Sequence, residues 1–261
     1  MLVQVDGLVV NTTDVGESDK TLTLITRQYG KMYVHARGGR KITSRFMAAS
    51  LKFTYGDFVI DKTDKHNVLH EASSKASFFG LWKNVSAMCL ADYICEVLAD
   101  VTVDGEPAED TLRLALNCLH VLSENSRPPQ DVKTVFELRL TALLGINPDL
   151  SGCCRCGRSD KDWYYLDIMN GELVCRDCGK GEEDERMSEI TRTARIIMMM
   201  TGAEAYAADR VINAEQNRMF SLPTDPAVRR RLGEISEKYL INHLERSYKT
   251  LDFYKEMIRS D

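Results

Sequence analysis

Cys153 and Cys156 form one Cys-x2-Cys knuckle, and Cys175 and Cys178 form a second, with eighteen residues between the two. Thiolates are soft ligands, and two such knuckles can close a tetrahedral set around a single Zn²⁺. Gly157 and Gly179 follow the knuckles directly. They permit the tight turn that lets backbone N–H groups face the sulfurs. Four thiolates leave no coordination position open, so the expected role of this zinc is structural rather than catalytic. Cys154 is a spare. In place of Cys153 it would shorten the first knuckle to Cys-x-Cys, a poorer loop. Disulfides would need an oxidising compartment, and a redox Cys-x2-Cys would open a helix in a βαβ setting; the sequence offers neither context. Cys89, Cys95 and Cys118 fall among apolar residues at helical spacing and are expected in the core.

A second set of residues has the chemistry of anion binding. Between Arg27 and Lys52 lie Arg27, Lys31, Arg37, Arg40, Lys41, Arg45 and Lys52, with no Asp or Glu. This window carries about +7 in a chain whose net charge is −5, leaving about −12 elsewhere. Tyr29, Tyr33, Gly38, Gly39 and Phe46 are interleaved with the cations. Arg forks suit phosphate oxygens, aromatic faces can stack bases, and paired glycines let a phosphate backbone approach. Contact with DNA or RNA is the favoured reading, ahead of a solvated face or an acidic protein partner. The run Val228–Arg231 is weaker, because Glu234 and Glu237 follow on the same predicted helix. No phosphate-binding glycine-lysine loop, dinucleotide fingerprint or His-Glu-x-x-His motif is found, and the five histidines are scattered. The chain is therefore not expected to be an enzyme.

The elements that must hold these residues fall into three textures. Over the first eighty residues "LVQVDGLVVN", "TLTLITR", "KMYVHA", "LKFTYGDFVIDK" and "NVLHEAS" alternate like strands, which suits a small closed barrel. Residues 11–20 read as the polar loop between the first two strands. From Phe78 onward the apolar spacing is helical, through "SFFGLWKNVSAMCLADYICEVLAD", "EDTLRLALNCLHVLSEN" and "DVKTVFELRLTALLGI". Residues 147–152 read as a linker. The cysteine segment follows, with "WYYLDIMNGELV" as a hairpin turning at Asn170-Gly171. A charged connector is expected at 179–189, and then a helix through "TRTARIIMMMTGAEAYA". A last long helix starts at Asp225-Pro226, an N-cap followed by proline at the first helical position. Length and ordinary apolar content point to two or three soluble domains. Asp6 interrupts the only apolar start, and no small-residue cleavage site follows, so the expected compartment is the cytoplasm.

This arrangement resembles the RecO family of bacterial recombination mediators. The resemblance rests on "GESDKTLTLITRQYGKMYVHARGGRKITSR" at 16–45, on the paired knuckles in mid-chain, and on "YLINHLERSYKTLDFYKEM" at 239–257. It implies an α+β multi-domain chain: an N-terminal OB-fold β-barrel at 1–78, an α-helical domain at 79–150 and 182–261, and an inserted four-cysteine zinc-ribbon module at 151–181. It further implies binding of single- and double-stranded DNA, annealing of complementary strands, and partnership with RecR and the C-terminal tail of single-strand-binding protein. With these the family helps load RecA, and the chain would work in the bacterial cytoplasm at the nucleoid, without a membrane. Carried onto this sequence, the DNA-binding positions are Lys31, Arg37, Arg40, Lys41 and Arg45, and the zinc ligands are Cys153, Cys156, Cys175 and Cys178. The acidic tail is expected on the helical body, where Arg113, Arg139 or Arg192 could supply a cation. The alternatives are a zinc-ribbon transcription or translation factor acting through protein contacts and, third, a metal-dependent nuclease.

Overall fold

A computed structural model describes residues 1–63, 66–179 and 196–260. These form two compact units, Met1–Pro129 with Tyr248–Asp261, and Gln130–Ser247.

In the first unit, β1 (Leu2–Val15), β2 (Asp19–Thr26), β3 (Gly30–Ala36), β4 (Thr54–Lys62) and β5 (Asn67–Ser77) close a barrel in the order β1-β2-β3-β5-β4. A parallel bridge between β3 and β5, at His35 and Val68, completes the Greek-key closure typical of OB-folds. Alternation along the strands sends Val3, Val5, Leu22, Leu24, Val34, Phe58 and Ile60 into one core. The polar loop expected at 11–20 is instead mostly strand. β1 runs to Val15 and pairs with β2 from Asn11↔Thr23 to Val15↔Asp19, and only Gly16–Ser18 turn. Beyond Thr12↔Leu22 the ladder leaves the core: Thr13, Asp14 and Val15 are exposed and residues 19–21 are half-buried, so the apolar alternation that marks a strand is absent.

Helices α1 (Val85–Val101), α2 (Glu109–Ser123) and α7 (Lys249–Ser260) complete this unit. Cys95 and Cys118 lie fully buried within α1 and α2, and burial pushes both thiols up, Cys95 to about 12. α7 returns to α1, where the Tyr248 hydroxyl donates to Asp100, Thr250 donates to Glu96, and the Tyr248 and Tyr93 rings meet edge-on at 5.8 Å.

On the barrel's outer face the Tyr55 hydroxyl donates to the Asp6 carboxylate, beside Arg27 at 3.1 Å. Burial alone would raise the Asp6 pKa, but the Tyr55 hydroxyl, Arg27 and Gln28 hold it below the ordinary 3.8. A depressed folded pKa contributes stability above 3.8 that is lost as pH falls through the folded value. Tyr55→Phe is expected to cost about 1.5–3 kcal/mol near neutral pH, the range for a hydrogen bond to a charged group. Its penalty is expected to shrink in acid. Urea titrations of both proteins at several pH values check this, and a pH-independent difference would refute it.

The second unit holds α3 (Pro129–Leu143), a four-stranded sheet, α4 (Arg176–Gly179), α5 (Gly202–Ile212) and α6 (Pro226–Leu244). The sheet takes the order β6-β8-β7-β9, from β6 (Asp149–Cys153), β7 (Trp163–Asp167), β8 (Glu172–Cys175) and β9 (Ile197–Thr201). The linker expected at 147–152 therefore holds most of a strand, tied by Asp149 N–H to the Gly171 carbonyl at 2.7 Å. The helix expected across "IIMMMTG" starts only at Gly202. Residues 197–201 pair with β7, which puts Met200 opposite Tyr164 in the core and leaves Met199 exposed. The boundary is a capping box: Thr201 Oγ1 accepts from Glu204 N–H, and the Glu204 carboxylate accepts from Thr201 N–H. Of the charged connector expected at 179–189, all but Gly179 lies outside the described residues. Asp225 caps α6 as expected, accepting from Ala227 N–H at 2.8 Å with Pro226 at the first position.

Between α3 and α6 of this unit sits an ionic cluster. Lys133, 1 % exposed, donates to Glu137 at 3.1 Å and Glu237 at 2.9 Å, and to the Gly233 carbonyl at 3.3 Å. Ser236 donates to the same Glu137 carboxylate at 2.6 Å. A Cβ at Gly233 would lie 2.3 Å from Gln130 Nε2 and 3.1 Å from Thr134 Oγ1, so α6 passes close to the side chains of α3 here.

Candidate metal centre and nucleic-acid interface

The four knuckle sulfurs come together, each within 4.8 Å of the others. Each knuckle is placed by a strand end. Cys153 closes β6, and its turn is held by Gly157 N–H donating to the Cys153 carbonyl, with Gly157 at φ +71°. Cys175 closes β8, and Cys178 follows one turn later in α4. β6 and β8 pair in parallel, which sets the two knuckles side by side, and the hairpin β7–β8 turns where expected. There Asp167 accepts from the N–H groups of Met169 and Asn170, and Gly171 takes φ +68°. Cys156 and Cys175 Sγ lie 3.8 Å apart, far outside disulfide bonding. It is also about the edge of a tetrahedron with metal–sulfur bonds of roughly 2.3 Å.

Electrostatics in the cluster favour a cation. Burial opposes ionisation of Cys153, yet N–H groups of Cys175, Arg155 and Cys156 bring its pKa down to about 6. Hydrogen bonds with the Cys156 and Cys175 sulfurs push Cys178 up to about 12. Cys153 is thus biased toward the thiolate and Cys178 away from it, and a bound cation would favour the thiolate at both. The cluster could hold a metal ion, and its all-sulfur donor set fits zinc. Cys154 is outside it: its thiol is exposed, and its N–H donates to the Leu173 carbonyl.

The basic window separates into two kinds of cation. The fold brings carboxylates from distant segments to four of the seven. Arg27 meets Asp6 and Glu109, Lys31 meets Asp104, Arg40 meets Asp14, and Lys52 meets Asp92. Lys31 is tied further by a 3.0 Å bond to the Ala99 carbonyl. Arg40 also donates to the Gly16 carbonyl at 2.5 Å, clamping the β1–β2 tip to the turn after β3. Arg45 donates to the His70 carbonyl at 2.7 Å and lies over the Phe46 ring. Arg37 and Lys41 are exposed and have no ion pair among the described residues. The two glycines serve the turn instead of opening it. Gly38 N–H donates to Asp19 at φ +67°, and Gly39 is buried against Ala36.

Beside Arg37 the structure adds residues that the charge pattern does not mark. An open groove of ≈ 610 Å³ is lined by Thr21, Tyr33, His35, Arg37 and, across it, Thr63, His66, Asn67 and Val68. Tyr33 offers its ring to this groove at 53 % exposure. Asn67 pins the Tyr33 carbonyl at 3.1 Å, and Asp19 holds His35 at 3.2 Å. The Gly38 N–H and Ser18 keep Asp19 itself below the usual carboxylate range, despite some burial. His66 and Asn67 lie about thirty residues from Arg37 in sequence, and barrel closure brings them to it. Elsewhere Arg139 donates to the Ile212 and Ala214 carbonyls at the end of α5, Arg113 pairs with Asp110, and Arg192 lies outside the described residues. No helix among the described residues is long and apolar enough to cross a membrane.

Fold and site together define a class: an OB-type barrel protein with a helical body and a four-cysteine sheet suited to a metal ion. The family model described as Recombination protein O N terminal matches residues 1–78, and that described as Recombination protein O C terminal matches residues 83–252. The chain belongs to the RecO family, and its role lies in DNA repair and recombination. Among its relatives, the DNA repair protein RecO of Acetivibrio thermocellus is 27 % identical over 257 residues, 98 % of each chain. That of Bacillus subtilis is 29 % identical over 200 residues, covering 76 % of this chain and 77 % of its own. That of Bacillus pumilus is 30 % identical over 178 residues, 68 % of this chain and 69 % of its own.

Proposed function

We propose that the chain is a non-enzymatic recombination mediator. It binds single- and double-stranded DNA, anneals complementary strands, and with RecR helps load RecA onto DNA coated by single-strand-binding protein, whose acidic tail docks on the helical body. Arg37, Lys41 and Arg45 contact phosphates, Arg40 braces the loop that presents them, and Lys31 lends its charge from a second rank. Cys153, Cys156, Cys175 and Cys178 hold one structural Zn²⁺. The observation that carries this reading is the groove itself. An exposed tyrosine face and an arginine without an ion pair among the described residues share one wall of an OB barrel, the combination that tracks a nucleic-acid strand. Annealing then needs no reacting group: cations neutralise the repulsion between strands, and base pairing supplies the driving force.

Three phosphate contacts are expected to give a log K against log salt slope of about −2 for single strands, from roughly −0.7 per contact. Arg37→Ala with Lys41→Ala is expected to flatten it by about 1.4 units and to slow annealing measured without nucleotide or Mg²⁺. Zinc content should stay the same. An unchanged slope in the double variant would make these cations a solvated face.

A further inference from the structure

A second surface of the first unit has a different character. The single turn of 3-10 helix at Phe79–Lys83 joins β5 to α1. Its middle is fixed: Leu81 is fully buried, and Gly80 N–H donates to Ser123 Oγ at 3.1 Å. A Cβ at Gly80 would lie 1.8 Å from the Ser123 carbonyl oxygen, so the turn is pressed against the end of α2. Its exit is fixed too, because Asn84 caps α1 through Ala87 N–H at 3.0 Å. Yet Phe79 is 68 % exposed and Trp82 is 65 % exposed. In a 3-10 helix, residues three apart eclipse one another. The two rings therefore share one side of a rigid turn, and exposed Val85 follows in the same spacing.

Solvent-exposed aromatics on an anchored turn mark a contact surface. The local charge says which kind. From Ala72 to Ala91 the only charged residues are Lys75 and Lys83. Lys75 is paired with Asp57, Lys83 is exposed without an ion pair among the described residues, and Glu124 is the carboxylate that follows Ser123. Two flat rings, followed in sequence by an exposed lysine with no ion pair among the described residues, match unpaired nucleobases on a phosphate backbone. We infer that Phe79 and Trp82 form a stacking ledge for unpaired bases, a second single-strand contact on the unit that carries the barrel groove. The inference rests on the DNA-binding reading above.

The chain has two tryptophans, so Trp163→Phe leaves Trp82 as the sole indole. In that protein a labelled oligothymidylate is titrated while its anisotropy and the Trp82 emission are read together. Quenching of Trp82 in step with binding is expected for the single strand, with little change for a duplex of equal length. Phe79→Leu with Trp82→Leu, which keeps apolar surface but removes the planes, is expected to weaken single-strand binding about tenfold or more. The salt slope should not move, since no charge is removed. Binding by anisotropy with unchanged Trp82 emission would overturn the ledge alone. So would full affinity in the leucine variant, which would mark a surface for a protein partner instead. Absence of any oligonucleotide binding would overturn the functional reading and the ledge with it.

Discussion

Stripping metal from Cys153, Cys156, Cys175 and Cys178 is expected to unfold the sheet β6-β8-β7-β9. Its strands are only four or five residues long, and two of them, β6 and β8, end in the cysteines that would hold the metal, so a metal ion there would contribute much of the local free energy. Structural zinc sites in small modules reach apparent binding energies of about 10–16 kcal/mol, comparable to a typical domain's whole stability of about 5–15 kcal/mol. Release of one Zn²⁺ per chain by a thiol-blocking mercurial and chelator is expected to redden Trp163 emission and abolish the near-ultraviolet signal of the sheet. Cys175→Ser, at a fully buried ligand, is expected to do the same without chelator. Protein purified without chelator that carries no metal, has four reduced thiols and still melts cooperatively through Trp163 would contradict this.

The second large effect is expected at Lys133. Lys133→Ala takes the ammonium away from Glu137, which is wholly buried and keeps the Ser236 hydroxyl as a donor. Burial already pushes the Glu137 pKa up, and the Lys133 ammonium is the main group pulling it back. Breaking one side of a buried ion pair costs about 3–5 kcal/mol. Replacing both partners, Lys133→Met with Glu137→Leu, removes the stranded charge and is expected to recover most of that loss. Denaturant titration followed at Trp163 distinguishes the two. Equal destabilisation in the single and double variants would mean that shape, not charge, holds α3 against α6.

The residues explain why part of this structure is legible in sequence. Strand alternation in β2, β3 and β4, the knuckle spacing, the Asn170-Gly171 turn and the Asp225-Pro226 cap are local signals, and each sits where its pattern puts it. The β1 extension escapes such reading because a ladder that leaves the core has no apolar period. β9 escapes it because its partner β7 is some thirty residues away, although Thr201 and Glu204 spell out the helix start. The basic window misleads in magnitude for the same non-local reason: Asp6, Asp14, Asp92, Asp104 and Glu109 reach it only through the fold. Lys133 looks like a surface lysine in "DVKTVFELRL" because its two carboxylates and the glycine beside it belong to different turns and helices.

The return of α7 to α1 has a consequence for biosynthesis. A ribosome makes the barrel, α1 and α2 before residues 130–247, but the residues that cover this side of α1, Tyr248, Thr250 and Leu251 among them, only after those. This unit is therefore finished only after residues 130–247 have emerged, with the bonds of Asp100 and Glu96 to Tyr248 and Thr250 waiting until then. A nascent chain stalled before Tyr248 would hold an incomplete unit at the exit tunnel, the situation in which holding chaperones bind exposed apolar helix faces.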